Sequence, residues 1–247
     1  MSQVATQRVQ LQPAYVLHQR PYRDTSRIVD LLTRDHGRVT VFARGVRGGK
    51  AGLAAALQAF QPILVSWSGK GEAGQLTAVE LAGERGVLPA ARLLSGFYLN
   101  ELLLKLLHLH DPQTEIFDLY NATLQSMKTG DDELLTLRLF EKHLLQTLGF
   151  GLMLEQDAES NLPIDPERCY RYVLEYGPLP VDTGANPGRG VYSGATLLAL
   201  ANEAFDPQQK VEVRHLLRAV LDHVLDGRRL QSREILTDLR QLQNSKP

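Results

Sequence analysis

The sequence predicts an α+β protein: a small β-barrel over residues 1–85, followed by a helical domain over residues 86–247. Three observations carry this. Residues 9–85 hold five short strand-like runs separated by turn residues, the third and fifth with clear apolar–polar alternation. After Gly86 the apolar spacing changes to that of helices, i, i+3 and i+4. The change falls at one seam, near residues 82–88.

Ala14–His18 reads as the first strand and ends at Pro21. Ile28–Thr33, Arg38–Ala43, Pro62–Trp67 and Gln75–Leu81 are the next four. In the third, Val39, Val41 and Ala43 alternate with Arg38, Thr40 and Phe42 at the two-residue period of a pleated strand. Ala51–Gln58 reads as one or two helical turns between strands three and four. Five strands with a helix in that place describe an OB-fold, whose face and loops bind oligonucleotides or oligosaccharides. Gly69-Lys70-Gly71-Glu72-Ala73-Gly74 has the outline of a dinucleotide fingerprint. A strand pattern follows it where that site needs a helix, so it reads as a hairpin turn.

Pro89–His110 is a leucine-rich helix with apolar residues on more than one side, expected to be buried. Asp111-Pro112 stops it and is expected to start a second helix, to about Lys128. Asp131 or Asp132 caps a third, Glu133–Leu148. Residues 150–192, with five prolines and several glycines, read as irregular. Ser193 caps a helix through Phe205, another runs from Pro207 to Leu225, and Ser232 is expected to cap a last one.

With 43% apolar and 22% charged residues, the chain has the composition of a soluble globular protein. The single Cys169 excludes an internal disulfide and a zinc site of two or more cysteines. No apolar run reaches the roughly eighteen residues of a membrane span, and the first residues have no apolar signal core. The expected location is the cytoplasm. A net charge of −1 hides an asymmetry: residues 1–85 hold 11 Lys and Arg against 6 Asp and Glu, and the remainder 16 against 22. A basic half of this kind meets an anionic partner.

Arg44, Arg47 and Lys50 lie on a glycine-rich loop after the third strand, with Arg38 at that strand's start. Cations on such a tip suit backbone phosphates. Tyr15, Tyr22, Phe42, Phe60 and Trp67 are candidates for stacking on bases or for burial in the barrel. Arg138 lies between Leu137 and Leu139 and either holds a carboxylate beside an apolar slot or pairs with Glu141 or Glu133. Arg228, Arg229 and Arg233 form a second basic cluster. His108 and His110, two residues apart, lack the i, i+4 spacing of a chelating pair, and no metal or cofactor is expected.

In order along the chain, several blocks resemble the RecO family of bacterial recombination mediators. They are Ala14-Tyr15-Val16-Leu17-His18 with Arg20-Pro21, Gly37-Arg38-Val39 leading to Ala43-Arg44-Gly45, Gly69-Lys70-Gly71-Glu72, and Ser95 to Leu107. Leu137-Arg138 with Phe140-Glu141, Leu148-Gly149-Phe150-Gly151, and Gly227-Arg228 through Ser232-Arg233-Glu234 continue the match. The resemblance implies an OB-fold, a helical domain and no enzyme chemistry. It implies a nucleoid-associated protein that binds single- and double-stranded DNA and anneals strands. It also implies binding to RecR and to the acidic, Phe-ending tail of single-stranded-DNA-binding protein (SSB), and help in loading RecA. Arg138 is the residue expected to hold the SSB tail. The alternative is an adaptor that bridges SSB and a partner without touching DNA. Some members of the family carry a four-cysteine zinc module, and with only Cys169 this sequence resembles the metal-free branch.

Overall fold

A computed structural model describes residues 7–45, 51–69, 73–83, 87–181, 188 and 190–235. The chain forms two compact units, Met1–Thr129 with Leu230–Pro247, and Gly130–Arg229. The two helices after residue 89 therefore fold with the barrel.

The first unit is built on a closed barrel of β1 (Gln7–Tyr22), β2 (Ser26–Thr33), β3 (Gly37–Ala43), β4 (Ile63–Gly69) and β5 (Ala73–Leu81). Strand order is β1-β2-β3-β5-β4, the short parallel β3–β5 pairing completes the barrel, and this is the OB-fold the sequence predicts. The alternation in β3 is real: Val39, Val41 and Ala43 point inward with Val29, Leu31, Ile63, Val65 and Trp67. Leu57, just after helix α1 (Ala51–Ala56), is buried in the same core. β5 runs antiparallel to β4, so a strand follows the glycine-rich turn. Gly74 has no room for a side chain, since a Cβ there would lie 2.6 Å from Trp67.

β1 is far longer than expected, because polar residues and Pro13 mask a strand that bends through two bulges. At one of them Leu17 stands out of register with β2. Its carbonyl accepts the side-chain amide of Asn100 at 2.8 Å. Asn100 lies on α2 (Leu93–Leu106), a helix that buries Tyr98, Leu99, Leu102, Leu103 and Leu106. The Tyr120 hydroxyl, from α3 (Thr114–Thr129), donates to the Asn100 Oδ1. Burial pushes the Tyr15 hydroxyl up to about 12, and that of Tyr120 is raised by burial and by Tyr15.

α3 begins at Thr114, two residues beyond the expected Pro112. The reason is local. The His110 N–H donates to the Arg38 carbonyl at 2.8 Å and Leu109 bridges to Arg38, which holds this segment along β3. A Cβ at Gly37 would lie 1.9 Å from the Asp111 carbonyl oxygen, so only glycine fits there, at a φ of +63°.

The second unit holds α4 (Glu133–Thr147), α5 (Gly194–Ala201) and α6 (Gln209–Val224). Asp132 caps α4 and Ser193 caps α5, as their positions predict. The segment expected to be irregular instead contains an antiparallel sheet of β6 (Cys169–Val173), β7 (Gly177–Val181) and β8 (Val191–Ser193), in the order β7-β6-β8. Pro178 and Pro180 sit on its edge strand β7, where a missing N–H is tolerated.

The terminal helical turn starts at Gln231, and Ser232 is not its cap. The Glu101 carboxylate accepts the N–H of Gln231 at 2.8 Å, the N–H of Ser232 at 2.9 Å and the Ser232 hydroxyl at 2.7 Å. Burial pushes the Glu101 carboxyl up, but Ser232, Gln231 and Lys105 together hold it below its ordinary 4.5. A depressed carboxylate contributes stability above its unfolded pKa and loses it as pH falls through the folded value. Glu101→Gln should therefore lower stability at neutral pH and flatten its decline below pH 4.5. Urea midpoints taken across that range check this; parallel curves for variant and wild type would contradict it.

Candidate nucleic-acid interface

The outward residues of β3 are Arg38, Thr40 and Phe42, and each meets a different environment. Arg38 donates to the carbonyl of Leu104, in the last turn of α2, where helix carbonyls lack partners of their own. The Thr40 hydroxyl donates to Asp30 on β2 at 2.7 Å. Phe42 packs against Tyr22, with ring centroids 5.2 Å apart. α2 thus engages the Arg38 end of this face, and the Phe42 end meets the β1–β2 hairpin.

Strand register gathers cations at that end. Arg20 pairs with Ile28, which pairs with Phe42, while Tyr22 pairs with Ser26 and Arg27 with Ala43. Arg44 follows Ala43 and is exposed, as are Arg20 and Arg23. The Arg23 guanidinium lies 5.2 Å from the centre of the Tyr22 ring. Arg27, paired with the inward-facing Ala43, is on the other face, half-buried, and donates to Gln19 at 2.7 Å. Tyr22, Arg23, Ser26, Phe42 and Arg44 line a cleft of about 150 Å³. Arg20 and Arg23 are missed by reading loops one at a time; the pairing of β1 with β2 is the signal that finds them.

Of the expected phosphate-binding residues, Arg44 is on this surface and Arg38 is committed to α2. Arg47 and Lys50 lie outside the described residues. Among the aromatics, Tyr15, Phe60 and Trp67 are core residues, at 1%, 2% and 5% exposure. His108 and His110 are exposed and belong to the segment that runs along β3.

The second basic cluster divides between the two units. Arg228 donates to the carbonyls of Leu225 at 2.7 Å and Val224 at 3.2 Å, closing the end of α6. Arg229 is exposed. Arg233, in the barrel unit, lies over the Tyr98 ring, 5.7 Å from its centre.

Two features of the second unit bear on a peptide ligand. Arg138 lies 2.7 Å from Glu141, with side-chain exposures of 12% and 0%. Separately, Phe150, Met153, Tyr172, Tyr176 and Val220 line a pocket of about 300 Å³. His223 and Glu175, 2.7 Å apart, belong to its lining, and Arg138 does not.

Two family models match the chain: Recombination protein O N terminal over residues 8–85, and Recombination protein O C terminal over residues 90–234. The chain belongs to the recombination protein O family. Its relatives include the DNA repair protein RecO of Methylococcus capsulatus, 46% identical over 92% of this chain and 93% of the relative. That of Coxiella burnetii is 44% identical over 94% of this chain and 99% of the relative. That of Nitrosococcus oceani is 43% identical over 96% of both. No described helix is long and apolar enough to cross a membrane.

Glu141 is a fully buried carboxylate, so Arg138→Ala should cost stability heavily, by about 3–5 kcal/mol, through the charge left behind. Adding Glu141→Gln should restore most of the loss. Denaturant midpoints of the single and double variants check this; a loss below about 1 kcal/mol for Arg138→Ala would mean that the pair is not what keeps Glu141 buried.

Proposed function

We propose that this chain acts in recombinational DNA repair as a non-catalytic strand-holding and annealing protein that helps RecA load onto SSB-coated single strands. The observation that carries this reading is the convergence of Arg20, Arg23 and Arg44 at the Phe42 end of the β2–β3 face of an OB-fold. Cations there neutralise backbone phosphates of either single- or double-stranded DNA without reading sequence. Two strands whose charge is screened on one surface are then able to pair. The surface supplies position and charge alone, so the reading needs no catalytic group and no cofactor.

Fluorescence anisotropy of a single-stranded oligonucleotide across a salt series tests it. Changing Arg44, Arg47 and Lys50 together to Ala should weaken binding to all sequences alike. The log–log salt slope should fall by about 0.7 for each phosphate that is no longer neutralised. An unchanged slope and affinity would move the DNA elsewhere, and a chain that binds SSB but no DNA at low salt would instead be an adaptor.

The same reading assigns the acidic, Phe-ending SSB tail to the second unit, with Arg138 as the residue that holds its terminal carboxylate, and leaves RecR as a further partner of the complex. The planar guanidinium fork can serve Glu141 and a second carboxylate at once. The Arg138→Ala, Glu141→Gln double variant separates binding from folding. Once folded, it should bind an SSB-tail peptide about 1.5–3 kcal/mol more weakly than wild type. Equal affinity would leave Arg138 as a structural partner of Glu141 and direct attention to the Phe150–Tyr176 pocket.

A further inference from the structure

The barrel end carries more than charge. Two of its aromatic rings, Tyr22 and Phe42, are only partly buried, whereas Tyr15, Phe60 and Trp67 are core residues. Tyr22 comes from the β1–β2 hairpin and Phe42 from the outer face of β3, the hairpin and sheet face that OB-folds use for oligonucleotides. The two rings meet at 48°, edge-inclined, so neither covers a whole face of the other. Gln75 donates to the Phe42 carbonyl at 2.7 Å and fixes that strand position. Arg23, at a φ of +51° that side chains rarely adopt, is held in the turn with its guanidinium over Tyr22. The cleft these groups enclose, about 150 Å³ with Ser26 and Arg44 on its walls, has flat apolar surfaces, a hydroxyl and two exposed guanidinium groups.

We propose that this cleft takes the face of one unpaired nucleobase, between the Tyr22 and Phe42 rings and the guanidinium groups of Arg23 and Arg44. The inference rests on the DNA-binding reading of the barrel end and adds to it an interaction that is independent of salt. Phosphate contacts alone hold single strands and duplexes by the same chemistry. A base cleft favours single strands, because in a duplex the faces of each base are taken up by stacking on its neighbours. Strands held by one base at a time keep their other bases available for a complement.

The test uses the full chain with two probes of equal length, an oligo-dT and an oligonucleotide of abasic sites, each titrated across a salt series. Wild type should bind oligo-dT about tenfold more tightly than the abasic strand, the factor expected for one stacked base. The Tyr22→Leu, Phe42→Leu double variant keeps apolar bulk without aromatic faces. It should bind oligo-dT about tenfold more weakly than wild type at every salt concentration, with an unchanged slope, and should bind the abasic strand as wild type does. Tyr22→Phe should retain full affinity. If wild type binds both probes alike, the base cleft is overturned and the phosphate surface stands. A double variant that weakens both probes equally also overturns it, since the rings would then only shape that surface. A wild-type chain that binds neither probe overturns both readings. Should the double variant fail to fold by circular dichroism, the single Phe42→Leu variant takes its place, with the same loss on oligo-dT alone expected and an unchanged affinity for both probes overturning the cleft.

Discussion

The carbonyl of Leu17 is the constraint on which the barrel unit depends. A bulge takes Leu17 out of the β1–β2 register, and the residue is only 3% exposed. A buried acceptor in that position needs a donor from elsewhere. Asn100 supplies it, and the Asn100 Oδ1 is in turn met by Tyr120, while Tyr15 on the inner stretch of β1 donates to Asn121 on α3. These bonds hold α2 and α3 against the barrel. With α2 in place, Arg38 reaches the Leu104 carbonyl and the Leu32 side of the face is covered. The Tyr22–Phe42 end lies at the other end of that face, beside the β1–β2 hairpin.

Arginine has two uses in this chain, and they divide along the fold. Arg38, Arg92 and Arg228 each donate to carbonyls in the last turn of a helix, of α2, α3 and α6. Such arginines complete the backbone and bring their charge to the negative end of a helix dipole. Arg20, Arg23 and Arg44 stand exposed at one end of the barrel. The excess of positive charge in the first third of the sequence points to a basic half, and only the structure divides its arginines between closing helices and facing solvent.

The barrel was legible because β3 buries one face and exposes the other, so Val39, Val41 and Ala43 announce its period. The extent of β1 was not, because a bulged strand changes faces part-way and breaks the alternation a reader follows. The sheet at Cys169–Val173, Gly177–Val181 and Val191–Ser193 was hidden by prolines that disqualify a central strand and are harmless on an edge. Asn100 carried no signal at all: a polar residue in a leucine-rich helix looks like a solvent-facing position until the bulge opposite it is known. Of the candidate site, residue type and position in the sequence point to Arg44, Tyr22 and Phe42. Their proximity to one another came from the pairing of Tyr22 with Ser26 and of Ile28 with Phe42, which no single segment contains.

Amide hydrogen exchange of the full chain, with and without a saturating single-stranded oligonucleotide at low salt, tests the central claim most directly. The account predicts new protection over the β1–β2 hairpin around residues 20–28 and at the end of β3 and the residues after it, with α2 and the Arg38 segment unchanged. Protection confined to residues 130–229, with the hairpin exchanging as in the absence of DNA, would contradict it.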